Sequence, residues 1–142
     1  MVNQDPQPEI FESNHDFTTA TLVNTSNINT IYTNQGFGEE VRIYALQVQI
    51  LDADGRDISG TAMIDYDITI WAGPNAVPSN PFDASVIALM KDKTLSLSVP
   101  VVVGFKQVLR VEVTNRTVTD TGPTVTINVQ LIGETGIIKV KC

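Results

Sequence analysis

Apolar residues fall on every second position through most of the chain. Between Thr61 and Trp71, Ala62, Ile64, Tyr66, Ile68 and Ile70 lie on one side, and Met63, Asp65, Asp67, Thr69 and Trp71 on the other. Side chains of a strand alternate between faces, so this segment has one buried and one wet face. The same period predicts strands over 17–23, 29–33, 94–103, 107–115 and 124–132, with a last short strand over 137–141. In 94–103, Leu95, Leu97, Val99, Val101 and Val103 share a face, and Pro100 puts the strand at an edge or a bend. Residues 41–51 form a long strand with a change of phase. Val41 and Ile43 sit at odd positions; Leu46, Val48 and Ile50 sit at even ones. A β-bulge near Ala45 switches the faces in that way. A strand crossing between sheets, or covered on both faces, would read the same. Residues 73–81 hold Pro74, Pro78 and Pro81 and read as a loop, because proline cannot donate to a ladder. Residues 85–90 fit a helical turn or a short strand.

About eight strands with turn signals roughly every ten residues predict a single antiparallel β-sandwich. No segment has the helical length that a parallel crossover needs. The long connections at 72–84 and 116–123 favour a jelly-roll-like order over an immunoglobulin-like one, which pattern alone does not separate. Residues 1–16 break the pattern. They carry Pro6, Pro8, four acidic side chains and His15, with Ile10 and Phe11 as the large apolar pair. They read as an extended N-terminal arm ahead of a sandwich domain at 17–142. Fully stretched, such an arm spans up to ~50 Å, against a radius of gyration near ~15 Å for the body. Ile10 and Phe11 are then expected to dock on a neighbour. A chain without residues 1–16 is expected to fold but to bind poorly.

Composition narrows the chemistry. A chain of 142 residues, 42% apolar, is one domain with an ordinary core. Its net charge is −7, and Arg42, Arg56, Lys91, Lys93, Lys106, Arg110, Arg116, Lys139 and Lys141 are scattered. A nucleic-acid surface needs clustered cations to displace counterions, so none is expected. No stretch approaches the roughly 20 apolar residues of a membrane helix. The first residues lack the basic start and apolar run of a signal peptide, which predicts synthesis in a cytoplasm. Cys142 is the sole cysteine, and no intrachain disulfide is possible.

Candidate chemistry is sparse, and no cofactor is expected. His15 is the only histidine and no Gly-x-Ser-x-Gly occurs, so triad logic finds no foothold. One His and one Cys cannot fill a tetrahedral zinc site. Asp65 and Asp67 lie two apart on a wet strand face, roughly 6–7 Å between α-carbons. That spacing suits a glycosidase pair, but alternating polar residues on a solvated face give the same letters. Asp52, Asp54 and Asp57 are calcium candidates. Gly55 stands fourth in that run and Met63 twelfth, where an EF-hand has Gly at six and Glu at twelve, so an Asp-Gly turn is preferred. Trp71 lies beside Asp65, Asp67 and Thr69 on the polar side. It reads first as a rim residue, then as an interface anchor, then as a sugar platform.

Several stretches together resemble the small β-sandwich proteins that decorate or cement the capsids of tailed bacteriophages. They are the acidic, proline-containing arm before Phe17-Thr-Thr-Ala-Thr-Leu-Val, then Val41-Arg-Ile-Tyr-Ala-Leu-Gln-Val-Gln-Ile running into the Asp52–Asp57 turn. Lys93-Thr-Leu-Ser-Leu-Ser-Val-Pro-Val-Val and the Thr/Val-rich hairpin 109–132 complete the set. The resemblance implies a noncatalytic virion protein, often a homotrimer, on the outer face of the capsid. Its partner would be the major capsid protein, and its role to hold capsomers together. Ile10, Phe11, Trp71, Val101, Val103 and Phe105 are the expected interface residues. The alternative is a carbohydrate-binding or adhesin-like sandwich using Trp71, Asp65 and Asp67, such as a phage receptor-binding part.

Overall fold

Among the described residues, the first strand pairs with the last. The computed structural model describes residues 7–17, 26–34, 39–58, 65–116 and 124–138. In chain order the strands are β1 (Gln7–Phe17), β2 (Ser26–Thr33), β3 (Glu39–Leu51), β4 (Tyr66–Ala72), β5 (Asn75–Asp83), β6 (Thr94–Val103), β7 (Val108–Asn115) and β8 (Val125–Ile138). A short helix, α1 (Ala84–Ala88), follows β5. One sheet is ordered β1-β8-β3-β6 and the other β2-β7-β4-β5. All pairs are antiparallel, with β1 on β8, β2 on β7, β3 on β6 and β4 on β5. That is one long ribbon doubled on itself and rolled into two sheets, the jelly-roll order. The expected all-β sandwich forms, and its topology resolves to the jelly roll.

The core lies between the sheets and follows the alternation. Leu109, Val111 and Val113 of β7, Ile68 and Ile70 of β4, and Ile127, Val129 and Leu131 of β8 are all buried. Phe17 packs on Tyr66 across the sandwich, ring centroids 4.9 Å apart. The phase change in β3 is a bulge. Its register with both β6 and β8 shifts between Ile43 and Ala45, leaving Tyr44 unmatched and keeping Ile43 and Leu46 both inward. Gly133 makes room for it. A Cβ there would lie 1.9 Å from the Arg42 carbonyl oxygen, so any side chain forces the backbone to shift.

Three expectations change, and one open alternative closes. Residues 7–17 are not a free arm. They form β1, an edge strand paired with β8 from Gln7↔Thr135 to Phe17↔Val125. The physical reason is inward burial of Phe11, Ser13, His15 and Phe17. The proline-rich loop is likewise an edge strand. β5 pairs Val77 with Ile70 and Phe82 with Ile68, and the register jump between them takes up residues 78–81, prolines included. Residues 85–90 begin in a helix, capped by the Asp83 carboxylate accepting from the Ser85 and Val86 N–H groups. β6 is the expected edge, but its partners on β3 jump from Ser96 to Val101, and Val99 is 76% exposed rather than inward. The predicted start of β4, 61–64, and most of the 17–23 strand lie outside the described residues.

Candidate functional site

Candidate chemistry falls in four places, beginning with Trp71. It sits on the outer face of the β2-β7-β4-β5 sheet, opposite Arg110 of β7. Its indole N–H donates to the Glu112 carboxylate at 3.1 Å, and the Arg110 guanidinium lies 5.6 Å from its ring centre. The ring is therefore half-buried under a cation rather than open for stacking. Asp67 forms an ion pair with Arg116 at 3.0 Å. Asp65 is held above the ordinary carboxylate range, first by burial and then by repulsion from Asp83 and Asp67, with Arg116 opposing.

The Asp52 carboxylate closes its own turn, accepting from the Asp54 N–H at 2.9 Å and the Arg56 N–H at 2.8 Å. Gly55 takes φ of 81° there. Asp57 instead pairs with Lys93 at 2.6 Å. The three aspartates thus serve the turn and an ion pair and do not converge; no group of three metal ligands occurs among the described residues.

Sequence reasoning missed a buried polar network. His15 of β1 places Nδ1 2.8 Å from the Asn27 side-chain oxygen and 3.1 Å from the Asn27 carbonyl. Two acceptors on one side fix the proton on Nδ1. Nε2 then accepts from the Ser13 hydroxyl at 2.5 Å, and the Ser13 oxygen accepts from the Asn29 amide at 3.0 Å. The order Ser-His-Asn is that of a hydrolytic triad. However, Ser13 and His15 are sealed between the sheets, 4% and 0% exposed, and neither cleft described below is lined by them. A carbonyl cannot come within about 3 Å of that oxygen. The network bolts β1 to β2 across the sandwich, and burial lowers the His15 pKa, opposed by its bonds to Asn27 and by Asp16.

The proposed interface residues divide. Phe11, 6% exposed, packs at a tilt on Tyr32 with ring centroids 5.2 Å apart; Val101 and Val103 are buried at 2% and 0%. All three are core side chains with nothing left to offer a partner. Ile10 and Phe105 remain at the surface. Around Ile10 the structure assembles what sequence spacing could not show. Ile10 neighbours Ile132, which neighbours Ala45, and two pairs further along Pro8, Glu134, Arg42 and Val102 follow in a row. The bulged Tyr44 hydroxyl donates to Glu134 at 2.5 Å. Ile10, Tyr44 and Val102 are exposed, and a cleft of about 420 Å³ runs between Pro8, Glu9, Ile10, Ile132 and Gly133. A second, open cleft of about 540 Å³ lies at the rim of the other sheet, lined by Thr30, Gly73, Pro74, Lys106, Gln107, Val108 and Arg110. No protein-family model and no curated protein matches this sequence.

Proposed function

We propose that the chain is a structural virion protein that binds the outer surface of a capsid and cements neighbouring capsomers, with the major capsid protein as partner. The observation that carries this reading is the exposed apolar end of the β1-β8-β3-β6 sheet, where Ile10, Ile132, Tyr44 and Val102 lie together beside a cleft. Apolar surface on a rigid sheet, crossed by the polar groups of Arg42 and Glu134, suits a protein partner. β1 is also a sheet edge, so its outer backbone can accept a strand from a neighbour. The jelly roll is used by capsid and lectin domains alike, so the fold supports the reading without deciding it. The sugar-binding alternative has less to rest on, because the Trp71 N–H is committed and its ring lies under Arg110. Weak contacts from each subunit of a trimer would add through effective concentration over a shell.

Co-sedimentation with expanded shells of the co-encoded major capsid protein tests this. The chain should pellet to a saturable ratio. Ile10→Glu should stay in the supernatant while unfolding at the same denaturant midpoint. A wild-type chain that remains in the supernatant at saturating concentration would overturn the proposal.

A further inference from the structure

The cleft at the rim of the β2-β7-β4-β5 sheet gathers two cations on a protein of net charge −7. Lys106 and Arg110 line it together with Thr30, Pro74 and Val108, and neither belongs to an ion pair among the described residues. Glu112, two residues beyond Arg110 on the same face, takes the Trp71 N–H instead. Arg110 is preset. Its Nη2 donates to the Gly73 carbonyl at 3.3 Å and its Cζ lies over the Trp71 ring, which leaves its other N–H groups to act as a fork.

Lys106 is preset at a cost. It takes φ of 67°, a left-handed conformation that favours glycine or asparagine, in the turn between β6 and β7. The turn is clamped from several sides. The Lys106 N–H donates to the Asn34 carbonyl at 2.7 Å, the Asn34 N–H to the Gln107 carbonyl at 3.0 Å, and the Gly104 N–H to the Gln107 side chain at 2.8 Å. Buried Asn34 further donates its amide to the Val103 carbonyl at 3.1 Å. Gly73 closes the floor, since a Cβ there would meet the Gln107 side chain at 3.1 Å. Lys106 shares this left-handed conformation with Asp92 and Lys93, but it alone of the three lines this cleft, its ammonium 5.4 Å from the Phe105 ring.

We propose that this cleft binds a carboxylate. Arg110 would grip the planar anion through two N–H groups, Lys106 would neutralise it, and Pro74 and Val108 would pack on the carbon skeleton behind it. The inference rests on the cleft alone and does not depend on the capsid reading. The carboxylate could come from a sugar acid or from an acidic side chain, and the test separates these sources.

Trp71 is the only tryptophan and lies against Arg110, so its fluorescence reports on the site. The full chain would be titrated with glucuronate and, separately, with N-acetylglutamate α-amide, against sodium chloride of equal ionic strength. A saturable change with glucuronate alone assigns a sugar acid. A change with the glutamate derivative, alone or with glucuronate, assigns an acidic side chain. Loss of one charged donor should weaken binding about tenfold or more, so Lys106→Gly and Arg110→Gln should both do so. Lys106→Gly relieves the backbone strain and should not lower the thermal midpoint, which separates loss of binding from loss of fold. No saturable response at tens of millimolar, a response that chloride matches, or undiminished affinity in Lys106→Gly would overturn the proposal.

Discussion

At the scale of the residue, the most consequential side chain is His15. Its inward position is occupied by a polar ring whose two nitrogens are both satisfied, through Asn27 and Ser13. This is why a buried histidine is tolerated in a core of valine and isoleucine. The arrangement fits the neutral imidazole: a proton added at Nε2 would place a buried charge against the Ser13 hydroxyl. The unfolded chain takes up that proton as pH falls through about 6.5, whereas burial holds the folded pKa lower. Between those two values the unfolded state binds more protons, so stability falls with falling pH, by up to about 1.4 kcal/mol per unit. Urea midpoints should therefore drop between pH 7 and pH 5.5, and the His15 variant isolates its share because Asp65, with its raised pKa, acts in the opposite sense on acidification. His15→Gln should be less stable throughout and lack that slope. An equal slope in both proteins would remove His15 as its cause.

At the scale of the element, β3 and β8 show what the alternation could and could not carry. The phase change between Ile43 and Leu46 was visible in the letters, because a one-residue slip turns every later side chain to the opposite face. Its complement was not visible. Gly133 lies far away in sequence, and nothing near it says that a carbonyl from β3 will pass where its Cβ would be. Gly133→Ala should cost about 3 kcal/mol or more, because backbone on both sides has to give. Gly55→Ala is the contrast: nothing lies within 4 Å, yet φ is +81°, so only strain is added, roughly 1–2 kcal/mol. Denaturant unfolding of both variants checks the order; a Gly133 variant as stable as the Gly55 one would refute the close approach. β1 escaped the same reading for a different reason. Its inward positions run Phe11, Ser13, His15, Phe17, and the two polar members hide the period unless their partners on β2 are known. The cationic cleft was equally illegible, since Gly73 and Pro74 reach it from the β4–β5 turn, Lys106 from the β6–β7 turn and Arg110 from β7.

At the scale of the whole molecule, pairing first strand with last makes the fold depend on both ends of the chain. β1 lies against β8 along its full length and reaches β2 through the His15 network and the tilted Phe11–Tyr32 contact. Removing residues 1–16 would strip the edge from β8, uncover Tyr32 and leave the polar groups of Asn27 and Asn29 without their partners. Each such loss is worth one to several kcal/mol, against a total stability of about 5–15 kcal/mol for a domain. The truncated chain should show no cooperative urea transition by Trp71 fluorescence or circular dichroism. This reverses the consequence expected of a free arm, and it changes how the capsid contact has to be probed. Truncation cannot separate binding from folding, whereas Ile10→Glu alters only the outward face of β1, at a side chain 62% exposed. A truncated chain that unfolds cooperatively at the full-length midpoint would show that the β1–β8 pairing is dispensable, and would return residues 1–16 to the role of an arm.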